Sequence, residues 1–294
     1  MIKHWFNLSK KRFGIENVLY IFLFTEGPIT FGPGIMASLN LKENIRSGND
    51  ILRGKVKYVR ESKRYFDGLA KRMANLGLSI DILSATLNDI GLYEMQSLKN
   101  LTSGLVIMAQ DFDHDIFTTS CEKNVRSKNG VMEMIFNAKF KIQTKVLMYR
   151  SGIGLGSPLL NQKNEQIGWK LGSLHRNSNV GFIFDCKTNR REDQVSYIQI
   201  ITQYQQSDRK LITRVTTAAR VVGKLQKFKQ GFDQEAALIL QARMFTFGTH
   251  LEEDLDLVRR IDRSLIHFVK KFGESNNHLK LSSSMTLYPN FHTT

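Results

Sequence analysis

Two clusters in the sequence have residue types and spacings that invite a chemical reading. The loop Gly152-Ile153-Gly154-Leu155-Gly156 has the glycine pattern of a phosphate cradle. Such a cradle needs a helix that begins directly after the glycines, whose free N–H groups and dipole hold the anion. Strand-like runs stand on both sides of this loop instead, so the glycines predict a turn between strands. Asp111, Asp113, His114 and Asp115 offer hard ligands for a divalent ion. They stand between an apolar strand and a helix, where carboxylates meet the helix dipole favourably. Capping is therefore the expected role.

The remaining candidates are single residues. His4, His175, His250, His267, His278 and His292 are scattered, and neither an HExxH motif nor a nucleophile elbow is present. Cys121 and Cys186 are the only cysteines, which rules out a four-cysteine zinc site within the chain and argues against a disulfide framework. A reducing compartment is the simpler expectation. No G-x-x-x-x-G-K-[ST] motif occurs, so the chain is not expected to be a P-loop GTPase. The pattern assigns no catalytic residue, no metal ligand and no cofactor.

Charge is more informative than any of these. With 42 Lys and Arg against 27 Asp and Glu, the net charge is +15, which predicts an anionic partner: nucleic acid, an acidic protein or a membrane surface. One basic group is Arg53, Lys55, Lys57, Arg60, Lys63, Arg64, Lys71 and Arg72; a second is Arg209, Lys210, Arg214, Arg220, Lys224, Lys227 and Lys229. Near an anionic bilayer each such residue is worth about 1 kcal/mol, an effect that salt removes. A nucleic-acid-binding protein is the alternative, and it requires exposed aromatics among the cations as a stacking platform. Tyr58, Tyr65 and Phe66 neighbour the first group, but Phe66 falls on an apolar stripe, so core packing is expected of it and nucleic acid is not.

The elements that must position these residues fall into three regimes. The apolar run 18–24 is far short of the ~20 residues that span a bilayer. Basic residues precede it, as in a signal peptide, but Glu16 and Asn17 abut it and no A-x-A-like site follows, so it predicts a fully buried strand. A Gly/Pro loop follows. From residue 50 to 76, Val56, Val59, Phe66, Leu69, Met73 and Leu76 recur at helical spacing, with Gly77 placed as a C-terminal cap. Strands at 78–85 and 104–109 alternate with a short helix at 94–100, which means crossovers and a mostly parallel sheet. Past residue 129, short β-rich runs at 131–137, 139–149, 166–172, 179–185, 195–204 and 210–217 predict an antiparallel sandwich or barrel. Helices are expected at 232–247 and 252–272, the first capped by Asp233, the second with a stripe of Leu255, Val258, Ile261, Leu265, Phe268 and Phe272.

Several segments resemble the GTPase-activating subunit of the inner COPII coat. Glu26-Gly-Pro28 to Gly32-Pro-Gly34, followed by Ile45-Arg46-Ser47 and Asp50-Ile51, is similar to that family's glycine-proline loop and IRS-x-x-DI run. Ile80-Asp81-Ile82 and Asp89-Ile-Gly91-Leu-Tyr-Glu94-Met95 resemble the strand and turn that follow it. Gln203-Tyr204-Gln205 with Arg214-Val-Thr216-Thr217 resembles the end of its β-domain. Phe232-Asp233-Gln234-Glu235-Ala236-Ala237 is similar to a signature of its helical domain, and Thr286-Leu-Tyr288-Pro289-Asn-Phe291 to the segment leading into its last domain. The order and spacing of these segments, over about residues 20–291, make the resemblance specific.

The resemblance implies a multidomain α+β fold: an unmatched segment 1–17, part of a von Willebrand-like α/β trunk at 18–126, an antiparallel β-sandwich at 127–222, and a helical domain with an extended tail at 223–294. It also implies a cytoplasmic protein, peripheral on endoplasmic reticulum and vesicle membranes. The partners it implies are the cargo-binding coat subunit, a Sar-type small GTPase, the outer coat and an anionic membrane surface. Arg53, Lys55, Lys57, Arg60, Lys63, Arg64, Arg214 and Lys224 are the candidate membrane-facing residues, and Phe232, Asp233, Gln234 and Glu235 the family signature. The chain departs from the family pattern in three ways. The four-cysteine zinc module and first half of the trunk have no counterpart here, the stretches 157–165 and 187–193 are shorter or altered, and no arginine aligns with the arginine finger of the gelsolin-like domain. Such a finger is worth ~10³ or more in rate. The expectation is a scaffold and GTPase partner, not itself an enzyme, with stimulation of hydrolysis impaired.

Overall fold

The computed structural model describes residues 20–39, 46–124, 127–128, 131–144, 147–153, 156–163, 166–175, 178–186, 195–208, 210–221, 231–248, 254–275, 279–281 and 285–286. Their contacts divide into two compact units. One draws on 1–143, 154–180 and 199–217, the other on 144–153, 181–198 and 218–294.

The first unit begins with a parallel sheet in the order β1 (Tyr20–Thr25), β2 (Ser79–Ala85), β3 (Val106–Ala109). Ile80 and Ile82 of the central strand are fully buried. Two crossover helices cover the sheet, α2 (Val59–Asn75) after β1 and α3 (Leu92–Thr102) after β2. Helix α2 buries Val59, Phe66, Leu69, Ala70 and Met73 at steps of one side of a helix, and meets Met95 and Leu98 of α3 in one core.

Two expectations for this region need correction. The run 18–24 is not fully buried: Ile21 and Leu23 pack on the core while Phe24 is 61% exposed, because only one face of β1 is turned inward. Val18 and Leu19 lie outside the described residues. The 50–76 helix is also not continuous. A short α1 (Gly48–Leu52) ends where Gly54 takes a left-handed φ of +68°, and a turn carries the chain into α2. Val56 thus leaves the helical stripe, and Leu76, at the C-cap, is 44% exposed. Gly77, with φ of +69°, occupies the cap position expected of it.

Helix α4 (Asp115–Asn124) follows β3. Asp115 is in its first turn, but the side-chain cap comes from His114, whose Nδ1 accepts from the Ile116 N–H at 3.2 Å, while Asp111 and Asp113 are exposed. Among the described residues no three His, Cys, Asp or Glu side chains converge on a possible ion.

The β-rich region holds short pairs β4 (Ser127–Lys128) and β5 (Val131–Met132), then β6 (Met134–Thr144), β7 (Leu147–Ile153), β8 (Ser157–Leu160), β9 (Gln166–His175), β10 (Gly181–Cys186), β11 (Val195–Gln205) and β12 (Leu211–Val221). Five of these form a sheet in the order β12-β11-β6-β9-β8, and β7 pairs with β10. The pairs β6–β9, β8–β9 and β7–β10 are antiparallel, as expected. Gly152 lies within β7 and Gly156 stands directly before β8, so the glycine loop joins strands and opens no helix; residues 154 and 155 lie outside the described residues.

Strand β9 lies close against the trunk helices within the first unit. A Cβ on Gly172 would meet the Thr102 carbonyl oxygen at 2.2 Å and the Leu78 carbonyl oxygen at 2.8 Å. Both obstacles are backbone, so Gly172→Ala forces strand and helix apart. The expected loss is about 1–3 kcal/mol of unfolding free energy, as for other overpacked sites. A urea midpoint equal to that of the parent would contradict this.

The second unit contains β7 and β10 together with helices α5 (Gln234–Gly248) and α6 (Asp254–Phe272). Phe268 and Met285 are its buried centre, packed by Phe232, Leu238, Leu265 and Phe272. Val258, expected on the apolar stripe of α6, is instead 56% exposed. Asp233 caps α5 as expected, its Oδ1 accepting from the Ala236 N–H at 3.0 Å. Glu235 follows in the first turn, where its charge meets the helix dipole. The signature Phe232-Asp233-Gln234-Glu235 therefore starts a helix and anchors it through Phe232. Among the described residues no helix is long and apolar enough to cross a membrane.

Candidate functional site

Arg46 organises the end of the parallel sheet where β1 and β2 terminate. Its Nη2 donates to Glu94 Oε1 at 2.7 Å and Oε2 at 3.0 Å, its Nε to Asp89 Oδ2 at 3.0 Å, and its Nη1 to the Met36 carbonyl at 3.0 Å. One guanidinium thus ties the loop after β1 to the turn after β2 and the first turn of α3. Glu94 is fully buried. Burial pushes its carboxyl above the usual carboxylate range, against the downward pull of Arg46. A bidentate guanidinium–carboxylate pair is the geometry in which such burial is tolerated. Next to Arg46, Ser47 Oγ accepts from the Asp50 N–H at 3.1 Å and donates to Asp50 Oδ2 at 2.5 Å, which starts α1.

The first basic group follows this clip in the chain. Arg53, Lys55 and Lys57 are exposed in the turn between α1 and α2, not on a helix as the spacing predicted. Arg60 and Arg64 are exposed on α2 in a row that continues through Asp67 to Lys71, so one carboxylate breaks the run of positive charge. Lys63 is half-buried with its Nζ 4.3 Å above the Tyr93 ring, and Lys57 lies 4.9 Å above Tyr58. Phe66 is fully buried, so it offers no face to a base. Arg214 is exposed on β12. Lys210 forms an ion pair with Asp208 at 2.8 Å, and Lys224 lies outside the described residues. Arg53, Lys55, Lys57 and Arg60 are thus exposed in the crossover between α1 and the first turn of α2.

A second polar cluster joins residues far apart in sequence. The Tyr20 hydroxyl on β1 donates to Asp81 Oδ2 on β2, and Asp81 Oδ1 accepts from the Leu105 N–H at 2.6 Å. His175 on β9 places its Nε2 3.4 Å from the same hydroxyl, and its Nδ1 donates to the Asn124 carbonyl at 2.9 Å. Burial raises the Asp81 carboxyl and, with Asp81 beside it, raises the Tyr20 hydroxyl well above its ordinary value. Asp81 is sealed from solvent, so the cluster fastens β9 to the trunk sheet. One signal in the sequence points to it, a carboxylate between two isoleucines in the central strand; its partners, 61 and 94 residues away, carry none.

Two domain models of one family match the chain in the order of these elements: the Sec23/Sec24 trunk domain over residues 16–125 and the Sec23/Sec24 beta-sandwich domain over 135–223. The chain belongs to the Sec23/Sec24 family. It is similar to the protein transport protein SEC23 of Encephalitozoon cuniculi (strain GB-M1), at 39% identity over 277 residues, which cover 92% of this chain and 38% of that protein. The chain thus spans well under half the length of its Sec23 relative. Among solved structures it is similar to the human COPII-coat protein Sec24c, with a TM-score of 0.72 over 94% of this chain and 36% of that one. At 14% identity that likeness concerns the fold. Arg46, Asp89 and Glu94, from separate segments of the sequence, form one ion cluster within the trunk region of this chain.

Proposed function

We propose that the chain works as part of a COPII coat that promotes vesicle formation at the endoplasmic reticulum and transport to the Golgi. The observation that carries this reading is its kinship to a Sec23 protein along 92% of its own length. The trunk and sandwich present surfaces to the cargo-binding coat subunit, a Sar-type small GTPase and the outer coat, with the basic end of the trunk toward anionic membrane. Scaffold and GTPase partner is the role proposed for the chain in that assembly. The reading requires no cofactor and places the chain in the cytoplasm, peripheral on the membrane.

Binding to the cargo-binding subunit tests this directly. The purified chain is expected to co-elute with that subunit from the same organism and to bind at most weakly to an unrelated acidic protein of matched charge. Equal retention of both would show that the +15 charge alone drives association, and would sink the coat reading.

A further inference from the structure

We infer that the Arg46-clipped end of the trunk sheet enters an anionic lipid bilayer through three apolar loop tips, Phe31, Leu39 and Leu87. The inference rests on the coat reading for its membrane, and deepens it by adding an inserted apolar part to a surface known so far only by its charge.

Because β1 and β2 run parallel, the loops leaving their C-terminal ends emerge at the same end of the sheet. The first carries Phe31, 91% exposed, and Leu39, 79% exposed; the second carries Leu87, 83% exposed. A single exposed leucine needs no explanation. These tips differ because the loops that bear them are fastened down. The Met36 N–H donates to the Ile29 carbonyl at 2.7 Å, Ser62 Oγ donates to the Gly34 carbonyl at 3.2 Å, and Arg46 bonds both Met36 and Asp89. Met36 and Ile90, beside the tips, are buried, so each loop turns one apolar residue into the core and holds another out.

Exposed cations accompany the tips in the same crossover: Arg53, Lys55 and Arg60, the last on the helix whose first turns hold Gly34. Cations in the same crossover as exposed apolar tips suit an anionic bilayer, where the charges meet lipid phosphates and each tip buries itself between chains. At Leu87 the exposed apolar surface continues into Met108 and Ile116, which line one cleft with it.

The test uses the full chain with vesicles of phosphatidylcholine, with and without phosphatidylserine. Phe31→Trp is expected to add fluorescence that brominated acyl chains quench, above the signal of the parent with its Trp5 and Trp169. Phe31→Ser, Leu39→Ser and Leu87→Ser are each expected to weaken binding to the phosphatidylserine vesicles by about tenfold, the effect of burying one large apolar side chain. That loss persists at high salt, whereas the loss from Arg53→Glu with Lys55→Glu shrinks as salt screens the charges. Vesicle binding that survives all three serine substitutions, with no quenching at residue 31, overturns the inference while leaving a purely electrostatic membrane contact. Displacement from vesicles by an acidic polypeptide, again without quenching, overturns it in favour of a protein partner. If the parent binds no vesicle the inference also falls, yet co-elution with the cargo-binding subunit would still uphold the coat reading.

Discussion

Arg46→Ala is expected to lower the unfolding free energy by about 3–5 kcal/mol, the range for removing one partner of a buried ion pair. The substitution leaves Glu94 fully buried without its counter-charge, and frees Asp89 and the Met36 carbonyl from the same guanidinium. The pH dependence separates this cause from a general loss of packing. Burial already holds the Glu94 carboxyl above its ordinary value, and without Arg46 it rises further. A carboxyl raised in the folded state binds more protons folded than unfolded, so stability falls as pH rises from the ordinary carboxylate range through the raised value. The cost of Arg46→Ala should therefore be full at neutral pH and shrink in acid, where Glu94 takes a proton. Urea unfolding at both pH values reads this directly. A cost below about 1 kcal/mol, or one equal at both pH values, would contradict the clip, since that is the scale of an exposed pair.

Tyr20→Phe is expected to cost about 1–3 kcal/mol, because it withdraws a hydrogen bond from a carboxylate that has no solvent to replace it. Asp81 then keeps the Leu105 N–H alone. Its carboxyl, already raised by burial, rises further, so the variant should lose stability more steeply than the parent as pH climbs out of the carboxylate range. Asp81→Asn supplies the control. It keeps the shape and removes the titrating group, so the stability profile should flatten over that range. Equal slopes in parent, Tyr20→Phe and Asp81→Asn, measured by thermal unfolding across pH, would show that Asp81 is not the group responsible.

These clusters show what could be read ahead of the structure. The spacing of Phe66, Leu69 and Met73 placed α2 on the core, and Gly77 and Asp233 marked helix ends, because each is a local signal that one turn of helix decides. The break at Gly54 was missed because an apolar stripe tolerates one glycine, and only a left-handed φ shows that the helix stops there. Phe22 and Phe24 are expected inside, since an apolar run does not reveal that its strand buries one face only. The Arg46 clip is visible in the sequence only as fragments: Ile45-Arg46-Ser47, Asp89 and Glu94 fall in separate segments of the resemblance, with no sign that residues 43 and 48 positions apart meet. The Tyr20–Asp81–His175 contact depends still more on topology, since it needs a parallel crossover and a strand from the β-rich region to meet. Charge showed that an anion is expected but not which cations would meet it. The fold leaves Arg53, Lys55 and Arg60 exposed, and sets Lys63 over Tyr93 and Lys210 against Asp208.

Recruitment by the activated GTPase tests the coat assignment most directly. The chain, the cargo-binding subunit and a Sar-type GTPase should be floated with liposomes of endoplasmic-reticulum composition, once with a non-hydrolysable GTP analogue and once with GDP. The account predicts that the chain floats with the cargo-binding subunit when the analogue is bound and stays largely behind with GDP. Flotation that ignores the nucleotide and the cargo-binding subunit, and follows lipid charge alone, would contradict it.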